Sequence, residues 1–231
     1  MSSINVLDKG YVRLVDSMGS DLSVVNSARV SYDKQVNEMS ARDERLVDFL
    51  AREGHTSPFR HAVMQFEVYA PLMVARQWWK YVIGSAHQMD AWNESSRRYI
   101  TEEPIFYVPQ ADEWRTIPEN SKQGSGENLD KSVGVWYTKK LEDHIKEGEE
   151  LYKYAMESGN ICAEQARLFL PAYGMYVRWY WTASLQSVAH FLNQRLAHDA
   201  QKEIQLYAEA VKEHADTLFP ISLSKLIEEA K

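Results

Sequence analysis

The sequence predicts an α+β fold, a single domain over residues 1–231 in which long helices surround a small, mainly antiparallel sheet. Two segments alternate apolar and polar side chains with the two-residue period of a strand, whereas most of the remainder repeats apolar residues every three or four positions, the period of a helix. A length of 231 residues with 45% hydrophobic side chains suits one sizeable core rather than two small ones. No internal repeat or long linker interrupts the chain.

In order along the chain, Gly10 to Val15 reads as a short strand, and Ser20 or Asp21 caps a helix bearing Leu22, Val25 and Ala28 at helical spacing. A second helix is predicted at about Ala41 to Glu53, with Leu46, Val47 and Leu50 turned inward. Met64, Phe66 and Val68 alternate with Gln65, Glu67 and Tyr69, which predicts a half-buried strand ending at Ala70. Pro71 then suits the first position of a helix, where its missing N–H is not needed. That helix carries Leu72, Val74, Ala75, Trp78 and Trp79 and runs toward a polar segment over 85–99.

Pro104, Pro109, Pro118, Gly124 and Gly126 mark a loop with one short strand at Ile105 to Val108. From Asn128 onward Leu129, Val133, Trp136, Tyr137, Leu141, His144 and Ile145 recur at three and four residues. This predicts a long helix, in spite of Gly148, that stops near Ser158-Gly159. Asn160 can cap the next helix, and Pro171 ends it by Leu170. Tyr173, Met175, Val177, Trp179 and Trp181 alternate with Gly174, Tyr176, Arg178 and Tyr180, the second strand signal. Two more helical stripes follow: Leu185, Val188, Ala189, Leu192 and Leu196, then Ile204, Tyr207, Ala208, Val211 and Leu218.

Acidic residues outnumber basic ones 33 to 26, a formal net charge of −7. No global field favours a polyanion, so nucleic acid is not the expected partner and any anionic ligand must be held by local arginines. The lone cysteine, Cys162, allows neither an internal disulfide nor a thiolate metal site and reads as a small packed side chain, which fits a reducing, cytoplasmic compartment. No basic-then-apolar leader opens the chain, and no apolar run approaches the roughly 18 residues of a membrane span. The expected protein is soluble, with no membrane partner.

Arginine suits phosphate-bearing ligands because its guanidinium stays charged and presents a fork of donors. Candidates are Arg76, Arg97, Arg98, Arg167, Arg178 and Arg195. The segment Trp92-Asn93-Glu94-Ser95-Ser96-Arg97-Arg98-Tyr99 gathers amide, carboxylate, hydroxyl and guanidinium groups close behind Gln77-Trp78-Trp79. It reads either as a solvated loop or as a nucleotide site, since these groups suit sugar hydroxyls, phosphate oxygens and a uracil edge. Asn193 to Gln201 joins two apolar stripes, and Arg195 lies off the stripe drawn by Leu185, Val188 and Leu192, free to meet a ligand at a helix junction. His190 and His198 lack metal-ligand spacing and no His-Glu-x-x-His occurs, so no metal is expected. Neither a Gly-x-Ser-x-Gly elbow nor a Gly-x-Gly-x-x-Gly fingerprint is present; a flavin or NADPH would bind outside a Rossmann fold.

Taken in order, Leu7-Asp8-Lys9-Gly10, Met18-Gly19-Ser20-Asp21, Ala28-Arg29-Val30-Ser31, Gly54-His55-Thr56-Ser57-Pro58-Phe59 and Ala75-Arg76-Gln77-Trp78-Trp79 resemble the flavin-dependent thymidylate synthases. So do Asn93 to Tyr99, Ala166-Arg167 with Leu170-Pro171, Asn193 to Gln201 and Glu203-Ile204-Gln205. The resemblance spans nearly the whole chain. It implies reductive methylation of dUMP to dTMP by a homotetramer with active sites at subunit interfaces, using FAD as cofactor and NADPH and 5,10-methylenetetrahydrofolate as co-substrates. It also implies no cysteine nucleophile.

Residue by residue, the resemblance places Gln77, Lys80, Glu94, Ser96, Arg97, Arg98, Arg167 and Arg195 on dUMP. Arg195 takes the catalytic role of favouring the ionised uracil N3. The resemblance places His55, Ser57, Lys80, Tyr81, His87, Asn93, Glu94, Ser184, Gln186, His190 and Gln194 on FAD. Three departures stand out. Lys80-Tyr81-Val82 occupies the family's Arg-His-Arg, and a short insertion around His87-Gln88-Met89-Asp90 precedes Asn93. Ser184, Gln186 and His190 stand where many members hold flavin with Asn, Arg and Asn. The insertion either compensates for the altered motif through His87 or is a longer surface loop. The rival readings are a silent nucleotide-binding tetramer of the same fold and a sibling enzyme acting on another pyrimidine nucleotide.

Overall fold

A computed structural model describes residues 3–83, 90–96, 103–119 and 124–227. His87, Arg97 and Arg98 lie outside the described residues. The sheet has five strands, β1 (Ser3–Val6), β2 (Gly10–Met18), β3 (Val63–Pro71), β4 (Asp90–Glu94) and β5 (Tyr176–Ser184), in the order β1-β2-β3-β5-β4. Every pairing is antiparallel. The two strands read from alternation, β3 and β5, lie side by side at the centre, where one pleated face is buried against helices and enforces the two-residue pattern.

That inner face carries Met64, Phe66, Val68 and Ala70 opposite Val177, Trp179, Trp181 and Ala183, all buried. Helices α3 (Leu72–Ile83), α6 (Leu185–Arg195) and α7 (Lys202–Leu218) pack over it. Trp78 anchors the contact, edge-on to Trp179 at 5.4 Å and to Trp181 at 5.3 Å and stacked on Phe191 at 4.3 Å. With no exposed area left on Trp78, its replacement by Ala should cost about 3–5 kcal/mol. This cluster fixes α3 against α6, and the candidate site lies where those helices end.

Helix α1 (Asp21–Arg29) starts at a capping box between Ser20 and Ser23, and α2 (Ala41–Arg52) at one between Ser40 and Asp43. Ser20, not Asp21, is thus the cap of α1. The buried Asp21 carboxylate instead accepts from the Ile221 and Ser222 N–H groups at 3.0 and 2.7 Å, opening the last helix, α8 (Pro220–Leu226). Pro71 closes β3 opposite Tyr176 rather than opening α3, because the sheet continues one residue further and Leu72 N–H donates to Met175 O. The expected strand at 105–108 is reduced to a bridge between Phe106 and Met175.

Helix α4 (Lys131–Glu157) begins after Asp130, whose carboxylate accepts from Ser132 N–H at 2.8 Å. Gly148 is required inside it, because a Cβ there would stand 2.7 Å from Phe169 O. Its apolar stripe is largely open: Val133, Trp136, Tyr137 and Tyr154 are all exposed. Helix α5 (Ala163–Ala166) is capped by Cys162 and not by Asn160, which takes a left-handed turn at φ 51°. Cys162 is exposed, which corrects the expectation of a packed side chain: it stands outside the four-residue helix it introduces. No helix among the described residues is long and apolar enough to cross a membrane.

Candidate active site

The last two turns of α3, the end of α6 and the junction leading into α7 enclose a cleft of about 700 Å³. Gln77, Lys80 and Tyr81 line it from α3, Gln194 and Arg195 from α6, and Asp199 and Gln201 from the junction; Arg115, Gly124 and Ser125 close the opposite wall. Helical spacing puts Gln77, Lys80 and Tyr81 on one side of α3 while Trp78 faces the core.

Arg195 sits at the centre of this arrangement. Its Nη1 donates to Gln77 Oε1 at 3.1 Å, its Nη2 donates to the Tyr81 hydroxyl, and its Cζ lies 4.2 Å from the centre of the Tyr81 ring. The Nε–H is buried without a partner. Burial pulls the guanidinium below its ordinary pKa, offset in part by Tyr81 and, at longer range, Asp199. Arginine nonetheless remains charged throughout the physiological range. Among the described residues Arg195 forms no ion pair, so a desolvated positive charge faces the cleft held only by neutral groups.

Gln77 is oriented in turn. Its Nε2 donates to Gln201 Oε1, Gln201 Nε2 donates to Glu203 Oε2 at 2.7 Å, and Arg115 Nη2 donates to Glu203 Oε1 at 2.6 Å. A chain of contacts therefore runs from the far wall of the cleft through the buried Glu203 to the Arg195 guanidinium. Gln201 and Glu203 fall within the stretches that carry the family resemblance, which was the only signal for their role, because the burial of Glu203 is visible only in the fold. Arg115 had none, standing in a Pro- and Gly-rich segment without periodicity.

Of the residues expected to act, the structure gathers Gln77, Lys80, Tyr81, Gln194 and Arg195 around one cleft, with the His190 ring 6.0 Å behind that of Tyr81. Asn93 and Glu94 are exposed on the edge strand β4. Glu94 lines a second concavity of about 340 Å³ with Arg76, Trp79 and Trp92. Although the residue as a whole is exposed, its carboxyl is desolvated by the walls of that concavity, which raises its pKa against the opposing effects of Trp92 and Arg76. Ser95 N–H donates to Arg178 O at 2.8 Å, which anchors the half-buried Ser96 beside it to β5. Arg167 is exposed at the end of α5, donating to Glu164 O at 3.2 Å, and lines neither concavity.

Three of the expected flavin residues, His55, Ser57 and Gln186, lie in a different region. His55 and Ser57 are exposed on the turn between α2 and β3, beside a cavity of about 450 Å³ lined by Gly54, Thr56, Gln186 and Lys225. Gln186 Oε1 is buried there without a partner. Ser184 does not join this group. It is fully buried, and its Oγ accepts from Ser187 N–H at 3.2 Å as the cap of α6.

The family described as "Thymidylate synthase complementing protein" matches residues 13–221. The chain is 39% identical to the flavin-dependent thymidylate synthase of Thermotoga neapolitana, over 90% of its own length and 86% of the relative's. It is also 39% identical to the Thermus thermophilus enzyme of that name, over 95% and 76%. Among solved structures, a UMP/dUMP methylase, PolB, from Streptomyces cacaoi bound with 5-Br UMP superposes with a TM-score of 0.81 at 26% identity, covering 98% of this chain and 99% of that one. The same enzyme bound with 5-Br dUMP superposes at 0.80. With a family match from the second strand to the last helix and this identity across nearly all of its own length and at least three quarters of each relative's, the chain belongs to the flavin-dependent thymidylate synthases.

Proposed function

We propose that this protein methylates dUMP at uracil C5 to give dTMP, with 5,10-methylenetetrahydrofolate donating the carbon, FAD as the bound cofactor and NADPH as its reductant. The observation that carries the reading is Arg195: a desolvated guanidinium with no ion-paired carboxylate among the described residues, aimed into a cleft by Gln77 and Tyr81. Such a charge favours the ionised form of a uracil N3–H placed beside it. The charge left on N3 is shared with O2 and O4, which frees the N1 lone pair to push through C6=C5 and makes C5 the atom that attacks the one-carbon unit.

Lys80 at the rim suits the nucleotide phosphate, and Glu94, Ser96, Arg97, Arg98 and Arg167 complete the dUMP contacts. The residues fit a flavin as well. The unpartnered Gln186 carbonyl can accept from a ring N–H in the cavity it lines with Thr56 and Lys225, His55 and Ser57 stand on the adjoining turn, and Lys80, Tyr81, His87, Asn93, Glu94, Ser184, His190 and Gln194 complete the proposed flavin contacts. When bound, the flavin supplies the hydride that completes the methyl group. The chain itself positions the partners and keeps Arg195 charged and dry.

The active form is a homotetramer in the cytoplasm with sites at subunit interfaces, supported by the exposed stripe of α4 and by Arg167 standing away from the Arg195 cleft. Anaerobic reduction of the purified holoenzyme by NADPH, followed by dUMP and the folate with product analysis, tests the reading. dTMP formation is the expected result; reduced flavin with no nucleotide product would overturn it. A second substrate, UMP, belongs in the same assay because the PolB neighbour is a UMP/dUMP methylase. Preferential methylation of UMP would make the chain the sibling enzyme.

A further inference from the structure

The family's Arg-His-Arg is replaced here by Lys80-Tyr81-Val82, and the tyrosine does something that an imidazole at that place cannot do in the same way. A phenol ring is large enough to lie under a guanidinium and also to carry an oxygen to its edge. Arg195 uses both features: its Cζ stands 4.2 Å from the ring centre and its Nη2 donates to the ring hydroxyl. The stacked and hydrogen-bonded contacts together fix the plane of a group that would otherwise rotate about its own side chain. Gln77 holds the other end through Nη1, and Tyr81 is itself backed by the His190 ring at 6.0 Å.

Gln77 and Tyr81 are both neutral, so among the described residues the guanidinium is held without an ion-paired carboxylate. A carboxylate would fix it equally well and would cancel the charge that the cleft needs. The phenol oxygen accepts from Arg195, so the hydroxyl adds a directed hydrogen bond to the contact made by the ring. We propose that Tyr81 is the positioning residue of Arg195, holding its guanidinium plane toward the nucleotide through ring and hydroxyl and so replacing the motif that this chain lacks. The proposal deepens, and rests on, the reading of Arg195 as the group that activates a uracil.

The test is a double-variant cycle on the holoenzyme with Tyr81→Phe, Tyr81→Ala, Arg195→Ala and Tyr81→Ala/Arg195→Ala. Turnover and dUMP dissociation are measured separately, and flavin content and far-UV circular dichroism report folding. Tyr81→Ala should lower kcat on the order of tenfold or more, with a smaller change in dUMP dissociation, and Tyr81→Phe should fall between it and wild type. In the Arg195→Ala background the Tyr81 replacement should change kcat little, because it acts through a group already gone. Losses that multiply in the double variant would show that Tyr81 acts independently and would overturn the proposal.

Crystal structures of the wild type and of Tyr81→Ala give a reading that needs no turnover. The guanidinium should leave Gln77 when the ring is removed, and an Arg195 that stays in place without Tyr81 would equally overturn the proposal. A wild-type enzyme that forms no dTMP but shows this displacement would retire the assigned reaction and leave the positioning role standing.

Discussion

Arg115 and Glu203 form an ion pair at 2.6 Å across the cleft wall, and the second oxygen of the same carboxylate accepts from Gln201 at 2.7 Å. Glu203 is buried in the first turn of α7 and Arg115 is partly exposed, so one carboxylate ties the segment over 103–119 to the residue that orients Gln77. Glu203→Ala would leave a guanidinium and an amide without their acceptor. Because Arg115 retains some access to water, the loss should be about 1–3 kcal/mol rather than the larger penalty of a fully buried orphan charge. Thermal unfolding should show the destabilisation, and kcat should fall in the folded fraction because Gln77 is no longer held. A stable variant with wild-type kcat would remove Glu203 from the chain of contacts that reaches Arg195.

Cys162→Ala should leave both thermal stability and dTMP formation close to wild type. The thiol is exposed and its nearest polar contact, to Gln165 Oε1, is 4.0 Å away, so an alanine removes no packing. Surface replacements of this kind change stability by about 0.5 kcal/mol or less. Turnover assays alongside unfolding curves check both halves, and a folded but inactive variant would restore a thiol to the chemistry.

The pH dependence of stability should carry the mark of Asp43. Its carboxyl accepts from Ser40 and pairs with Arg29, and these partners hold its pKa below the ordinary value of 3.8 in spite of burial. A depressed folded pKa means that the unfolded chain binds a proton first as pH falls. The stabilisation is therefore complete at neutral pH and is lost below about pH 4, as the folded pKa is approached. Asp43→Asn should accordingly be less stable than wild type at pH 7, by about 1–3 kcal/mol for a buried, paired cap. The two proteins should converge as pH drops through this range; denaturant titrations at pH 7, 5 and 3.5 would reveal the trend, and a constant difference would refute it.

The central sheet was legible because β3 and β5 are half-buried and must alternate, whereas β1 and β4 were not. Asp90-Ala91-Trp92-Asn93-Glu94 is polar at three of its positions and becomes a strand only by pairing with β5 at the sheet edge, information that lies in Tyr180 and Trp181 rather than in the segment itself. The same limit explains α4. Its three-and-four spacing correctly marked a helix, but spacing cannot say what covers the stripe, and Trp136 and Tyr154 lie open in the single chain. Within the site, Arg195 stood out by leaving the apolar stripe of α6. Tyr81 entered through its place in an altered motif, and its contact with Arg195 spans 114 positions that no local pattern connects. Ser184 shows the limit of a local pattern, because a serine opening a helix reads as a cap as readily as a ligand contact, and the structure shows the cap.

The separation of Arg167 from Arg195 leads to the most demanding prediction. Both are expected on the nucleotide, yet Arg195 lines the cleft with Gln77 while Arg167 projects from the end of α5 beside the exposed Leu168, Phe169 and Tyr173. If one site takes Arg195 from one subunit and Arg167 from another, neither single variant should turn over at more than a small fraction of the wild-type rate. Loss of one stabilising donor lowers kcat by about 10²–10³. Mixing Arg167→Ala and Arg195→Ala chains through partial denaturation and reassembly should then create some sites that carry both arginines intact, one from each kind of chain. Activity in the mixture should rise well above that of either variant alone. Sites built within one chain would each keep a defect whatever their neighbours, and the mixture would stay inactive. Replacing Trp136 by Asp in α4 provides the companion control: if the open stripe is an interface, light scattering should report a smaller particle, and the complementation should vanish with it.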